Sequence, residues 1–137
     1  MYFNKNIPEL DVTDLNNSIK FYETCGFKID YERKEDRFVF LSLGEIQFML
    51  QELASDNKWE TGKLEYPFGR GINFQLEVDD VDTIYNSLKN NGYKVMIEME
   101  ENWYRQDNML LGSKEFLVQD PDGYLLRFSE DLGSKDE

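Results

Sequence analysis

The stretch DVTDLNNSIKFYETCGFKI at residues 11–29 returns in outline as EVDDVDTIYNSLKNNGYKV at residues 77–95. At an offset of 66 residues, four pairs are identical: Val12 with Val78, Asp14 with Asp80, Gly26 with Gly92, and Lys28 with Lys94. The identical positions coincide with the expected boundaries of structural elements in both copies, and a repeat of this kind indicates one duplicated unit. The sequence therefore predicts two copies of the same local fold.

Each copy has the signals of a strand, a helix and a second strand. Asp14 and Asp80 precede apolar residues at helical spacing, and a carboxylate at that position can accept hydrogen bonds from the first free amides of a helix. Gly26 and Gly92 then suit the left-handed residue that follows a helix. We therefore expect two helices that begin after the aspartates and end before the glycines.

Two hairpins complete the repeats. Predicted strands at 38–43 and 46–51 flank a Gly-Glu turn, and strands at 116–119 and 124–129 flank the turn Asp-Pro-Asp-Gly at 120–123. The prediction is an α+β fold: one domain over residues 1–137, in which two βαβββ repeats, at about 1–53 and 68–132, form curved mixed sheets around a concave cleft. The segments 53–71 and 98–113 are expected to be irregular, and the tail 133–137 to be frayed.

The amino-acid composition excludes several classes of partner and of catalytic mechanism. The chain has 137 residues, the size of about one domain, a net charge of −13 and no histidine. This charge disfavours nucleic acid and anionic membranes as partners, whereas cationic or neutral ligands are compatible with it. The absence of histidine excludes Ser-His-Asp and Cys-His nucleophile systems and the HExxH zinc helix. Since no apolar run suits a membrane span or a signal peptide, we expect a cytoplasmic protein.

Strand parity identifies the residues of the cleft. The sequence INFQLEV at 72–78 alternates apolar and polar side chains, and successive side chains of a strand point to opposite faces. The polar face of this strand carries Asn73, Gln75 and Glu77. The same parity places further side chains on the open faces of the sheets: Glu9, Asp11, Gln47, Met49, Gln51, Leu125, Arg127 and Ser129. The core is expected to hold Phe21, Tyr22, Phe40, Phe48, Phe74 and Phe128, with Ile72 on the helix-covered face.

Several motifs resemble those of a known superfamily. V-x-D opens each helix, F-Y-x-x-x-G-F closes the first, and D-P-D-G-Y precedes the last strand. In this order they resemble the glyoxalase/bleomycin-resistance/dioxygenase superfamily, also called vicinal oxygen chelate, over nearly the whole chain. The stretches IPEL at 7–10, EDRF at 35–38, PFGRG at 67–71 and WYR at 103–105 look most like the bleomycin-resistance branch. The resemblance implies a homodimer that sequesters a drug without converting it, whereas other branches are metal enzymes.

The metal positions of those enzymes are the deciding feature. By resemblance they correspond here to Ile7, Met49 (Phe48 if the register slips), Asn73 and Arg127. Only Asn73 offers an oxygen ligand, and a guanidinium repels a divalent cation. We therefore expect no metal, no other cofactor and no catalytic residue. A metal-dependent lyase, transferase or oxidoreductase of the glyoxalase or dioxygenase type is the alternative, and an interaction or immunity module is a third.

Aromatic residues in the irregular segments are the candidates for stacking on a ligand. Phe38 joins them because the resemblance implies a stacking role at that position. The candidate ligand-binding residues are Phe38, Trp59, Trp103, Tyr104, Glu9, Met49, Asn73, Gln75 and Arg127. Trp59 and Trp103 fit a dimer interface equally well. The expected partner is a small aromatic or cationic molecule. Arg105 and Arg127 would oppose a cationic drug unless Glu9 or Glu77 neutralises them, so a neutral or mixed-charge aromatic compound fits equally well.

Overall fold

The computed structural model of the protein describes residues 1–54 and 58–137. The chain divides into two compact units, one formed by residues 1–68 with 121–123 and the other by residues 69–120 with 124–137. Each unit contains one four-stranded mixed sheet and one α-helix. The predicted α+β class and the two βαβββ repeats are therefore confirmed.

The first unit has the sheet order β1-β4-β3-β2. Its elements are β1 (Glu9–Val12), α1 (Leu15–Thr24), β2 (Lys28–Arg33), a 3₁₀ helix (Lys34–Asp36), β3 (Phe38–Leu43) and β4 (Ile46–Glu52). β1 pairs in parallel with β4, and the other neighbouring strands are antiparallel. The parallel pair requires the chain to cross over, and α1 begins that crossover.

The second unit repeats this arrangement with the order β5-β8-β7-β6. Its elements are β5 (Asn73–Glu77), α2 (Val81–Asn90), β6 (Ile97–Gln106), β7 (Met109–Gln119) and β8 (Leu125–Asp136). β5 pairs in parallel with β8, as β1 does with β4. Neither α1 nor α2, the two α-helices of the described residues, is long and apolar enough to cross a membrane.

The helix boundaries are those that the sequence predicts. The Asp14 side chain accepts a hydrogen bond from the backbone amide of Asn17 at 3.2 Å, and that of Asp80 accepts one from Thr83 at 3.2 Å. Gly26 has a φ of +105° and Gly92 a φ of +83°, angles that only glycine adopts readily. Both helices therefore end with a glycine in the left-handed region.

Aromatic side chains fill the core beneath each helix. In the first unit the Tyr22 ring meets those of Phe27 and Phe48 at centroid distances of 5.3 and 5.9 Å. In the second, Phe116 and Phe128 stack at 5.5 Å. The predicted core residues that are buried are Phe21, Tyr22, Phe40, Phe48 and Phe128. One core assignment was wrong, because Phe74 is only half-buried. Ile72, expected on the helix-covered face, precedes β5 and is 53% exposed.

The segments 98–113 and 133–137 also differ from the prediction. Instead of an irregular loop and a frayed end, β6 and β7 form a long hairpin, and β8 continues to Asp136. A two-residue turn joins β6 to β7, and its first residue, Asp107, has a φ of +55°. β8 pairs with β7 up to Asp136, so the end of the chain has ladder hydrogen bonds that hold it in the sheet.

Residues 121–123 belong to the first unit because Asp122 is hydrogen-bonded there. Its buried carboxylate accepts from the Thr13 hydroxyl at 2.6 Å and from the Thr13 amide at 3.2 Å. Its carbonyl accepts from the Phe68 amide at 2.8 Å. The Asp-Pro-Asp-Gly sequence is thus a turn, as predicted, and it also fixes the start of α1.

Candidate ligand-binding cavity in the second unit

The open face of the second sheet carries a cavity of about 600 Å³. The opposite face is covered by α2, where Tyr85 lies against the ring of Phe116 at 5.1 Å. Because side chains alternate, the residues between the core positions of β7 and β8 point into the open side. The cavity is lined by Gln75, Glu77, Tyr104, Leu111, Gly112, Ser113, Arg127, Ser129, Asp131, Gly133 and Ser134.

Arg127 is the basic residue of this lining. Its Nη2 donates to Oε1 of Gln75 at 2.8 Å, and the two residues are direct partners in the β5–β8 register. Nε is buried and has no hydrogen-bond acceptor among residues 1–54 and 58–137. Over the same residues, Arg127 forms no ion pair. A permanent positive charge is therefore present on the cavity wall without a directly bonded carboxylate.

A buried carboxylate, Glu115, lies behind this wall. It is 2% exposed, and it accepts hydrogen bonds from the Tyr104 hydroxyl, from Nδ2 of Asn102 at 3.0 Å and from Oγ of Ser113 at 2.9 Å. Burial raises the pKa of this carboxyl, but its hydrogen bonds and the nearby charge of Arg127 outweigh burial and hold the pKa below its usual value. Glu115 is therefore ionised at neutral pH.

Tyr104 connects this network to the cavity. Its hydroxyl donates to Glu115, which raises the pKa of Tyr104, and burial raises it further. The side chain is nevertheless 44% exposed and lines the cavity. The fixed hydroxyl holds an aromatic surface at the cavity wall, where a planar ligand group can stack on it.

The acidic residues of the lining lie along the same face. Glu77 is the register partner of Ser129, and Asp131 is the partner of Ser113. The Asp131 carboxylate forms a hydrogen bond within its own strand: its Oδ1 accepts from the Gly133 amide at 2.8 Å. Glu77 is exposed, and no described residue forms a hydrogen bond or ion pair with it. The cavity therefore contains both a carboxylate without a described partner and a guanidinium without a bonded carboxylate.

Trp103, another predicted ligand-binding residue, lies on the other side of the sheet from this cavity. It follows Asn102 and precedes Tyr104 in β6, so its side chain points away from theirs. Its ring covers Gly112 of β7, its register partner, and Nζ of Lys135 lies 3.9 Å from the ring centroid. The ring thus packs against the sheet and is not part of the cavity lining.

The open face of the first unit carries three other candidates, Glu9, Met49 and Phe38. Glu9 is the register partner of Met49, and Met49 that of Phe40. Partial burial and the Asp11 carboxylate raise the pKa of Glu9, whereas Arg33 lowers it. The same Arg33 guanidinium lies 3.9 Å from the centroid of the buried Phe38 ring.

The first chain segment covers part of this face. Phe3 meets the ring of Phe40 edge-on at 5.4 Å, and the Tyr2 carbonyl accepts from Nε2 of Gln47 at 2.6 Å. The aromatic rings of this face therefore already have partners within the first unit.

Two candidates lie elsewhere. Trp59 is 64% exposed in a turn outside the sheets, where Nζ of Lys58 is 4.7 Å from the ring centroid. Asn73 begins β5 on the same face as Gln75 but is not part of the cavity lining.

Of the nine candidate ligand-binding residues, the structure brings Gln75, Tyr104 and Arg127 together in this cavity. Sequence reasoning missed Glu115, Ser113 and Asp131, although alternation along a recognised β7 and β8 would have placed all three on the open face.

The side chains at the positions aligned with metal ligands do not fit a metal. The register places Met49 on the open face, whereas Phe48 packs under α1. A thioether and the side chain of Ile7 supply no oxygen, and Arg127 is a cation that is hydrogen-bonded to Gln75. Within residues 1–54 and 58–137, no three His, Cys, Asp or Glu side chains are grouped closely enough to hold a metal ion.

Two βαβββ units with equivalent strand orders in one chain define a paired-repeat α+β protein. The family model of the Glyoxalase/Bleomycin resistance protein/Dioxygenase superfamily matches residues 8–128, and the chain belongs to this superfamily. No curated protein matches the sequence.

Several solved structures are similar. A superfamily member from Vibrio splendidus 12B01 is 33% identical, with 90% of this chain and 95% of that chain covered and a TM-score of 0.44. The hypothetical protein SA1046 from S. aureus is 23% identical, with 95% of both chains covered and a TM-score of 0.71. A glyoxalase/bleomycin resistance protein/dioxygenase from Alicyclobacillus acidocaldarius is 20% identical, with 94% and 92% covered and a TM-score of 0.64. The last two likenesses concern the fold alone.

Proposed function

We propose that the protein binds a small organic molecule in the cavity of the second unit and sequesters it by reversible binding, without a metal. This is the mode of action that resemblance to the bleomycin-resistance branch implies. The observation that carries the proposal is the cavity of about 600 Å³, in which polar side chains and one partly exposed aromatic ring converge. Small-molecule sites in proteins have volumes of about 300–1,000 Å³ and contain polar groups that orient the ligand.

The lining favours a drug-sized molecule with mixed charge over a purely cationic drug. Tyr104 offers a ring surface for a planar group, and Glu77 offers a carboxylate to an amine. Arg127 adds a positive charge that repels a cation from its end of the cavity. A large glycopeptide drug with only positive charge is therefore a poorer fit than a smaller aromatic compound.

Titration of the purified protein with a panel of compounds tests the proposal. The panel contains bleomycin and cationic, neutral and mixed-charge aromatic compounds, and binding is followed by ¹H–¹⁵N NMR. We expect at least one compound to bind with one molecule per cavity, to shift the signals of Gln75, Arg127 and Ser129, and to be recovered chemically unchanged. Arg105→Gln serves as a control variant and should bind the same compounds as the wild type, because Arg105 lies in β6 on the face opposite Tyr104.

An enzyme of the glyoxalase or dioxygenase type gives different results in the same preparation. Elemental analysis would find about one zinc, nickel, manganese or iron per chain, and a bound compound would be converted with that metal present. Either recovery of converted compound or a panel with no binder in the cavity would refute sequestration.

The same proposal includes a homodimer in the cytoplasm. Sedimentation velocity on the full chain is expected to give twice the mass of one 16.3 kDa chain. A monomer at micromolar concentration would contradict the dimer but would leave the cavity of the second unit available for binding.

A further inference from the structure

We infer that the ligand of this cavity is dipolar: it carries a carboxylate that Arg127 binds and, at its other end, an ammonium group that Glu77 binds. The inference rests on the proposed function, since it names the class of molecule that the cavity accepts. It follows from two opposite charges that line one cavity and do not pair with each other.

The positions of the two charges are set by the parallel register of β5 and β8. Gln75 is opposite Arg127, and Glu77 is opposite Ser129, two residues further along. Two residues along a strand span ~6.6 Å and neighbouring strands are ~4.8 Å apart, so the Cα atoms of Arg127 and Glu77 are separated by about 8 Å. Long side chains can reach each other across this separation, but no hydrogen bond or ion pair joins Arg127 to Glu77 in the described part of the chain, so both groups can bind a molecule that spans the gap.

The Arg127 end is rich in donors. Gln75 directs its amide oxygen to the guanidinium, which leaves its NH₂ group without a partner among the described residues. No carboxylate is bonded to the guanidinium in the described part of the chain, although the charge of Glu115 lies near enough to interact with it. A planar carboxylate matches a guanidinium and an adjacent amide donor, and such charge-assisted hydrogen bonds are short and strong.

The Glu77 end is rich in acceptors. Glu77 is exposed and has no partner among the described residues, and the side chain of Ser129, its register partner, lines the cavity beside it. An ammonium group has three donors and no acceptor, so it fits this end and is repelled from the other. A short peptide is a suitable dipolar probe, because two extended residues span ~7 Å and three span ~10 Å, lengths that bracket the ~8 Å between the two Cα atoms.

Four forms of one peptide test the inference: Phe-Gly with both termini free, with an acetylated amine, with an amidated carboxylate, and with both blocked. The full chain is titrated with each form, and the same series is repeated with Gly-Phe-Gly. We expect each single block to weaken binding about tenfold or more, because it removes a hydrogen bond between charged groups.

Two variants assign each charge to its partner. Arg127→Gln should abolish the effect of amidation and keep that of acetylation, whereas Glu77→Gln should do the reverse. Arg105→Gln and Glu101→Gln, on the opposite face of β6, repeat the same chemical changes outside the cavity and should leave all four affinities unchanged. Thermal unfolding of each variant shows that it is folded.

Equal affinity for the four forms, or equal effects of both variants on both blocks, overturns the inference. So does a screen in which compounds that lack one charge bind the cavity as tightly as compounds that carry both; the proposed function would then stand with a different ligand. If no peptide and no panel compound shifts the cavity signals, the proposed function fails together with the inference.

Discussion

Glu115→Gln should lower the stability of the protein by about 1–2 kcal/mol at pH 7. The glutamine keeps the shape of the side chain and one carbonyl oxygen, which can still accept from Tyr104 and Asn102, while its NH₂ group meets the Ser113 hydroxyl. That hydroxyl can rotate to accept, so the main loss is the extra strength of hydrogen bonds to a charge. Glu115→Ala, which leaves three buried or half-buried donors without their acceptor, should cost about 3–5 kcal/mol.

The pH dependence of the glutamine variant identifies the cause. The pKa of Glu115 in the folded protein is held below the usual value of 4.5, so its ionised form stabilises the fold. This contribution is fully present above the unfolded pKa and is lost as the pH falls through the lower, folded pKa. The stability difference between wild type and Glu115→Gln should therefore be constant from pH 7 to about 5 and shrink as the pH falls below 4.5.

Urea unfolding from pH 7 to pH 3 measures this difference, with Glu101→Gln as the matched control. Glu101 lies in β6 on the opposite face and is exposed, so its replacement should change stability by less than about 0.5 kcal/mol. The reasoning is refuted if Glu115→Gln is as stable as Glu101→Gln at pH 7, or if its deficit stays the same at pH 3.

Two further substitutions test the packing and the turn. Gly112→Ala would place a Cβ 2.6 Å from the Trp103 ring, so thermal unfolding should show that stability falls by about 1–3 kcal/mol. Gly62→Ala is the control and should leave stability nearly unchanged, because its Cβ would meet nothing within 4 Å. Similar melting temperatures for the two would contradict the close contact. Asp122→Ala removes the acceptor of the Thr13 amide and hydroxyl, so urea unfolding should show that stability falls by about 2–3 kcal/mol. Thr13→Val removes only the hydroxyl hydrogen bond and should lower stability less. A larger loss of stability for the threonine variant would argue against this account.

The elements that the sequence predicted well are those with local chemical signals. Asp14 and Asp80 cap helices, Gly26 and Gly92 follow them in the left-handed region, and each signal acts within a few residues of itself. Such signals do not depend on tertiary contacts, so they can be recognised in one sequence. The repeat made them stronger, because each copy supports the interpretation of the other.

The β6–β7 hairpin was missed because its open face is polar. In β6 the alternation of apolar and polar residues is obscured where Asn102, on the cavity side, and Glu101, on the helix side, are both polar. A strand that lines a polar cavity lacks the pattern that marks a half-buried strand. The available signal was the Asp-Asn pair at 107–108, since Asp and Asn tolerate the left-handed conformation that a two-residue hairpin turn needs.

The expectation that Trp103 and Tyr104 line one site follows from the same error. Neighbours in a loop can both point into a site, so Trp103 and Tyr104 were both candidates. In a strand, adjacent side chains point to opposite faces, and only one of the two can line the cavity. The close approach of the Trp103 ring to Gly112 shows which one is packed against the sheet.

In β8, side chains of the core alternate with side chains that face the proposed binding cavity, and Glu115 connects the two groups. Leu126 and Phe128 are fully buried in the core, whereas Arg127 and Ser129, between and after them, face the cavity. Changes to the first pair should therefore affect folding, and changes to the second should affect binding. Under the proposed function Glu115 should contribute to both properties, because the same carboxylate that completes the buried hydrogen bonds fixes the Tyr104 ring at the cavity wall. A ligand that stacks on Tyr104 should consequently bind Glu115→Gln more weakly than wild type, even at a temperature where both proteins are folded.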